Sequence, residues 1–232
     1  MTFDRNDIVA PDPEGLEVLH DREYRVRAFR KGDNLLIRGS VRDQKPPGLY
    51  IVEDPEPMTV HHMRVDLEVS FPALQIVAVD VEFVRYPNDV CPAIVDHYDK
   101  LIGLSISRGF NHKVRELFGG PRGCTHTTAL LQAMGPIAVQ TFWSMSASEV
   151  RQRTLATAAA SAAAPADETG AVAVPSPVLT KAERDAQWAT NLNSCHVWAE
   201  DGDWVAGLRA GLPHPPMRHI SARMAELGLD AD

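Results

Sequence analysis

Two neighbouring stretches alternate so regularly between apolar and charged residues that a half-buried sheet is the structure they suit. Met63, Val65, Leu67 and Val69 interleave with Arg64, Asp66 and Glu68; after Phe71-Pro72-Ala73, the residues Val77, Val79, Val81 and Phe83 interleave with Asp80 and Glu82. Successive side chains of a strand point to opposite faces, so a period of two buries one row and wets the other. A weaker copy lies upstream. Tyr24, Val26 and Ala28 alternate with Arg25 and Arg27, Lys31-Gly32-Asp33-Asn34 supplies turn chemistry, and Leu35, Ile37, Gly39 and Val41 resume the alternation as a hairpin would. The period then lengthens. Pro92 opens a helical pattern with Ile94, Tyr98, Leu101 and Ile102, a short helix is expected from about Phe110 to Phe118, and a third carries Leu130, Leu131, Met134, Ile137 and Ala138, kinked at Gly135-Pro136. Strand runs followed by helix runs predict an α+β fold. Its antiparallel sheet of about four strands, near 24–30, 35–42, 60–70 and 74–85, is expected to lie under helices starting near 92, 110 and 126.

Four regions follow from this pattern. Residues 1–19, with Pro11, Pro13 and Gly15, lack periodicity and read as an arm; 20–155 hold the α+β core. Residues 156–178 collapse to Ala, Ser, Pro and Val and read as a linker or insertion whose removal would leave the core folded, although Ala is also the best helix former. Pattern returns in 179–232, expected to fold back on the core.

Composition narrows the partners. A formal net charge of −8 argues against nucleic acid, whose binding rests on clustered Lys and Arg. One local exception spans His20 to Lys45, where eight basic residues face four acids. It reads as the solvated face of a hairpin or as a docking patch, either for an acidic small molecule or for the acidic surface of a second subunit in a homodimer. No apolar run approaches the ~20 residues that span a bilayer, and the polar start Met1-Thr2-Phe3-Asp4 has no apolar signal core. The three cysteines, Cys91, Cys124 and Cys195, are odd in number and far apart, which points to free thiols in a reducing compartment and hence the cytoplasm.

Chemistry concentrates in Gly119-Gly120-Pro121-Arg122-Gly123-Cys124-Thr125-His126. Two glycines and a proline set a sharp turn that delivers a cysteine and a histidine to the start of a helix. Unpaired N–H groups there favour a thiolate, the form that attacks carbon or binds metal. The ordinary reading is a small apolar cysteine beside a capping histidine. Cys91 also heads a helical pattern, while His61 falls in step with the core-facing Met63 and His62 with the outward Arg64. Cys195-His196 forms a second pair beyond the linker. Asp66, Glu68, Asp80, Asp96 and Asp99 are available acidic partners. No phosphate loop, dinucleotide fingerprint or serine elbow is present.

Taken in order, His62-Met63, Val79-Asp80-Val81-Glu82, Cys91-Pro92-Ala93, Leu101-Ile102-Gly103-Leu104, Gly109-Phe110, the Gly119–His126 run and Gln140-Thr141 resemble the bacterial family known as domain of unknown function 2889, across about residues 20–145 and again near Ser194-Cys195-His196. The order of elements is also similar to NifU-like iron–sulfur scaffolds and their sulfur-acceptor (SufE-like) relatives. In those proteins a strand pair leads to a cysteine heading one helix, and a glycine-containing turn brings another Cys/His pair to a longer one. That likeness implies a NifU/SufE-like core and a scaffold or sulfur-carrier role, with Cys-x-His here in place of His-Cys and histidine in place of the first cysteine.

His61 or His62, Cys91, Cys124 and His126 would together form a Cys₂His₂ set suited to Zn²⁺, or to iron. Cys124 and His126 diverge by about 200° on a regular helix, so both act together only if the preceding turn holds them. With an open metal position the chemistry is hydrolysis or carbon–carbon cleavage; without metal, Cys124 is the nucleophile and His126 or His62 its base. The preferred reading is a small-molecule hydrolase or lyase with catalytic Cys124, His126 and His62. The alternatives are an iron–sulfur or sulfur carrier and a binding protein without catalysis.

Overall fold

Apolar residues at every second position build the expected sheet. The computed structural model describes residues 10–163, 191–193, 195–212 and 218–228. Four strands, β1 (Asp21–Lys31), β2 (Asn34–Lys45), β3 (Met58–Val69) and β4 (Ile76–Arg85), pair antiparallel in the order β1-β2-β3-β4. The alternation is realised as burial: Leu35, Ile37 and Val41 of β2 and Met63, Val65, Leu67 and Val69 of β3 are withdrawn from solvent. Helical elements cover that face. The stretch Cys91–Leu101, with Pro92 in its first turn, is wound as 3₁₀ rather than α; α1 (Phe110–Phe118) and α2 (Thr125–Ala163) follow. Their residues Tyr98, Leu101, Phe118, Leu130, Leu131 and Met134 form one core with the strands. The fold is therefore α+β, with an antiparallel sheet under helices.

The opposite face of the sheet is charged, and several residues of the basic stretch are paired across it. Arg38 meets Asp66 at 2.6 Å, Lys31 meets Glu68 at 2.5 Å, and Arg42 meets Glu23 at 2.9 Å. Such exposed pairs contribute little each.

The chain divides into two units, 1–150 and 151–232. The boundary falls inside α2, which runs through Pro136 and into the Ala-rich stretch as far as Ala163. The rest of the expected linker, the first nine residues of the arm and residues 179–190 lie outside the described residues. In the second unit a 3₁₀ turn (His196–Trp198) precedes α3 (Asp203–Arg209) and α4 (Arg218–Glu226), and Trp198 and Trp204 meet edge to face at 6.4 Å. Among the described residues no helix is long and apolar enough to cross a membrane.

Gly39 lets α2 lie close on the sheet. A Cβ at that position would stand 2.7 Å from Met134 Sδ and 3.1 Å from Leu130 Cδ1. Alanine would gain roughly 0.5–1 kcal/mol of backbone preference against a contact that the end of Met134 can relieve, so valine is the cleaner test. Gly39→Val is expected to cost about 1–3 kcal/mol by overpacking, read as a lower urea midpoint with unchanged slope. An unchanged midpoint would show that α2 does not rest on β2 there.

Candidate active site

The turn before α2 is held from both sides. Gly123 is extended and sits so close to α1 that a Cβ would come within 2.5 Å of the Phe118 carbonyl oxygen. Thr128 Oγ1 donates to that same carbonyl at 3.0 Å. Tyr98, fully buried and stacked on Phe118, accepts the Cys124 backbone N–H on its hydroxyl at 2.9 Å. Cys124 thus stands just outside the helix, with its carbonyl accepting from Thr128 N–H, while His126 is inside the first turn. This resolves the spacing problem. Because Cys124 is not in helical conformation, its Sγ and His126 Nδ1 come to 3.8 Å instead of diverging.

The other side of the His126 ring meets the sheet. His126 Nε2 lies 2.9 Å from Asp43 Oδ2, a contact between residues 83 apart in sequence. Asp43 is buried on the helix-covered face of β2, and Arg22, directly opposite on β1, holds both carboxylate oxygens, Nε on Oδ1 at 2.5 Å and Nη2 on Oδ2 at 2.6 Å. His61, opposite Asp43 on β3, stacks on His126 with ring centroids 3.9 Å apart and planes at 25°. Its Nδ1 is 3.4 Å from Asp43 Oδ2 but is not aligned for a hydrogen bond, and among the described residues it has no other hydrogen-bond partner. His20 Nε2 approaches Oδ1 at 3.5 Å. One buried carboxylate therefore organises an arginine and three histidines.

These contacts set the charge states. Burial pushes the Asp43 carboxyl up, but the Arg22 hydrogen bonds and charge, joined by His126, outweigh it and hold the group at about 2. Burial likewise pushes the Cys124 thiol up. The His126 contact and the Thr127 and His126 backbone N–H groups at the start of α2 pull it down further, so the net shift is downward. His126 is shifted up, first by Cys124, against burial, and then by Asp43. Burial and the neighbouring His126 charge shift His61 down. The shifts run towards the thiolate at Cys124, towards the imidazolium at His126 and towards the neutral ring at His61.

Asp43, His61 and His126 also each offer a ligand atom within 4.8 Å of the others, so the group could hold a metal ion. The set has the wrong neighbour for tight binding. Arg22 already occupies both Asp43 oxygens and adds a positive charge where a cation would sit.

The residues expected from sequence are distributed as follows. His61 and His126 meet at Asp43, and Cys124 joins them through His126. His62 faces the opposite side of the sheet, with Nε2 3.1 Å from Ser40 Oγ, beside a cavity of about 150 Å³ also lined by Glu23, Arg25 and Arg42. Burial and the nearby Arg64 and Arg42 shift His62 down. Cys91 begins the 3₁₀ stretch, its N–H on the Asn88 carbonyl at 2.9 Å. Among the described residues the metal-competent group contains Cys91, Cys124 and His62 no more than it contains the exposed Cys195. Asp43 and Arg22 were not anticipated. Asp43 follows Leu35, Ile37, Gly39 and Val41 in step, and a carboxylate in phase with a buried row is the signal that marks it.

Residues 20–140, which include Arg22, Asp43, His61, Cys124 and His126, match the family described as protein of unknown function (DUF2889). The chain belongs to the DUF2889 family. No curated protein and no solved structure matches it. The matched span of this DUF2889 protein covers the sheet, α1 and the first turns of α2, so the whole Asp43 group lies inside the family domain.

Proposed function

We propose that the chain is a small-molecule enzyme that cleaves a bond to a carbonyl carbon with Cys124 as nucleophile, His126 as proton carrier and Asp43 as its orienting carboxylate. The observation that carries this reading is the continuous line from Cys124 Sγ through His126 Nδ1 at 3.8 Å to Nε2 and Asp43 at 2.9 Å. Nucleophile, base and orienter in hydrogen-bond sequence are the components of covalent acyl transfer. The Cys124 thiolate attacks the carbonyl carbon, the bond to the leaving group breaks, and His126 passes its Nδ1 proton to that group. Water then attacks the thioester, giving its proton to His126, and the acid departs as the thiol sulfur is freed. A hydrolase of esters, thioesters or amides and an enzyme that hydrolyses an activated carbon–carbon bond share these steps, differing only in the leaving atom. Asp43 keeps the Nε2 proton in place and offsets the imidazolium charge.

A second reading follows from the mutual distances of Asp43, His61 and His126: a Zn²⁺- or iron-dependent enzyme in which those three residues hold the metal and the ion acidifies water. One experiment separates the two. On mixing with p-nitrophenyl acetate, a burst of nitrophenol equal to the enzyme concentration and an acetyl group mapped to Cys124 are expected, both lost in Cys124→Ser. Absence of any acyl adduct at Cys124, together with one tightly bound metal per chain whose removal abolishes turnover, would replace the first reading by the second.

A further inference from the structure

Two adjacent rows cross the outward face of the sheet. The register aligns Arg25, Ser40, Arg64 and Glu82 in one and Glu23, Arg42, His62 and Arg85 in the next. Ser40 and His62 stand at the centre, each beside arginines on neighbouring strands, and their side chains meet at 3.1 Å. The cavity of about 150 Å³ includes this pair, its other walls being Glu23, Arg25 and Arg42. A pocket that encloses a whole small molecule spans roughly 300–1,000 Å³, so this one suits a single group.

Charge identifies the group. The two rows hold four arginines against two glutamates, an excess of two positive charges in a chain whose formal net charge is −8. The excess is local: the next row, Arg27, Arg38, Asp66 and Asp80, is balanced, and Asp21, in the row beyond Glu23, is outside the cavity lining. Glu23 is shared, with Arg25 Nη2 at 3.1 Å and Arg42 Nη2 at 2.9 Å. One carboxylate cannot use the five N–H donors of each guanidinium, so it positions the two arginines and leaves donors for a further acceptor. Ser40 adds a hydroxyl proton whenever His62 Nε2 is the donor in their contact. Paired guanidiniums and a hydroxyl are the donors that hold a phosphoryl group, whose charge of about −1.5 to −2 matches the excess; a carboxylate would cancel only half of it.

We propose that this cavity binds the phosphoryl group of a small phosphate monoester, held by Arg25, Arg42 and Ser40, with His62 behind the hydroxyl. It is a second site. Arg42 and His62 are the chain neighbours of Asp43 and His61 but lie on the other face of the sheet, so the proposal does not depend on the chemistry of Cys124.

Equilibrium dialysis of the full chain against radiolabelled inorganic phosphate tests this, at constant ionic strength and about pH 8, where phosphate is mostly a dianion. One phosphate per chain is expected, displaced by phenyl phosphate at a concentration about tenfold or more below that needed with acetate. In the Arg25→Gln, Arg42→Gln double variant the dissociation constant should rise about tenfold or more. In Lys31→Gln, Arg38→Gln, which removes the same charge from the pairs with Glu68 and Asp66 outside the cavity, it should change by less than about twofold. Equal weakening in both double variants, or displacement by acetate as readily as by phenyl phosphate, would reveal a diffuse attraction to basic surface and overturn the proposal. Ser40→Asp covers the case of a double variant that fails to fold. Its carboxylate would sit beside both arginines, so phosphate binding should be lost while the melting temperature holds, and retained binding would overturn the proposal. Displacement of phosphate by phosphatidic acid vesicles or by a single-stranded oligonucleotide, at about tenfold less phosphate group than phenyl phosphate requires, would assign the arginines to a lipid or to nucleic acid and overturn it as well.

Discussion

Asp43→Ala is expected to destabilise the protein by about 3 kcal/mol and to disable the site. The carboxylate side chain is 2% exposed and carries both Arg22 contacts and the His126 contact, so removing it leaves a guanidinium and an imidazole in a partly buried place with no counter-charge. Breaking a buried ion pair from one side costs about 3–5 kcal/mol. The lower figure applies because Arg22 remains 35% exposed and water can reach it. At about 2–4 °C per kcal/mol for a chain of this size, the melting temperature should drop by roughly 10 °C. Acid sensitivity supplies a second signature. With a folded value of about 2 against about 3.9 in the unfolded chain, the unfolded state binds the proton more readily. The Asp43 contribution is therefore complete above about pH 4 and is lost as pH falls towards 2. Stability curves of the unaltered protein and the alanine variant should converge across that window. Parallel curves down to pH 2 would show that Asp43 is not the paired carboxylate described here.

His126→Ala should leave the fold largely intact and remove most of the Cys124 reactivity. The ring is the first cause of the lowered thiol value, ahead of the helix-start amides but behind the opposing effect of burial. Without it, burial dominates and the thiol returns to the ordinary range near 8.5 or above, where about 3% or less is ionised at pH 7. Alkylation of Cys124 at pH 7 should slow by about tenfold or more. Loss of the proton carrier should reduce turnover of an activated ester by roughly 100-fold or more. The pH dependence gives the sign: the variant's alkylation rate should reach its plateau at higher pH than that of the unaltered protein. His61→Ala is the control. Its ring stacks on His126 but makes no aligned hydrogen bond to Asp43, so it should shift the profile far less. A His126→Ala profile that overlays the unaltered one would dissolve the Cys124–His126 pair.

The four strands and the three helical stretches were legible because each rests on local periodicity. Met63 to Val69 must bury one row wherever it is placed, and Leu130, Leu131 and Met134 must share a helix face whatever they pack on. The turn before α2 was legible from its glycines and proline, but whether it would hold Cys124 beside His126 stayed conditional, because on a regular helix the two diverge; the pairing at 3.8 Å is a result of the structure. Strand phase put His61 in step with Met63 and His62 with the outward Arg64, yet the residues alone did not make the choice: His62 was expected to be catalytic, and it meets Ser40 on the outward face while His61 stacks on His126. The 3₁₀ winding of 91–101 was not legible, because the α and 3₁₀ helices share apolar spacings over such short stretches.

Which carboxylate serves His126 was decided only in three dimensions. Asp66 and Glu68, both prominent in sequence, are drawn to Arg38 and Lys31 on the outward face. Asp43 reaches the imidazole because the register of β1, β2 and β3 lines up Arg22, Asp43 and His61, and because Gly39 lets α2 settle close enough to lay its first turn over that row. Periodicity is a property of neighbouring residues and can be read along the chain. A contact across 83 residues depends on strand register and helix docking together, and those are set by the packing of the whole core.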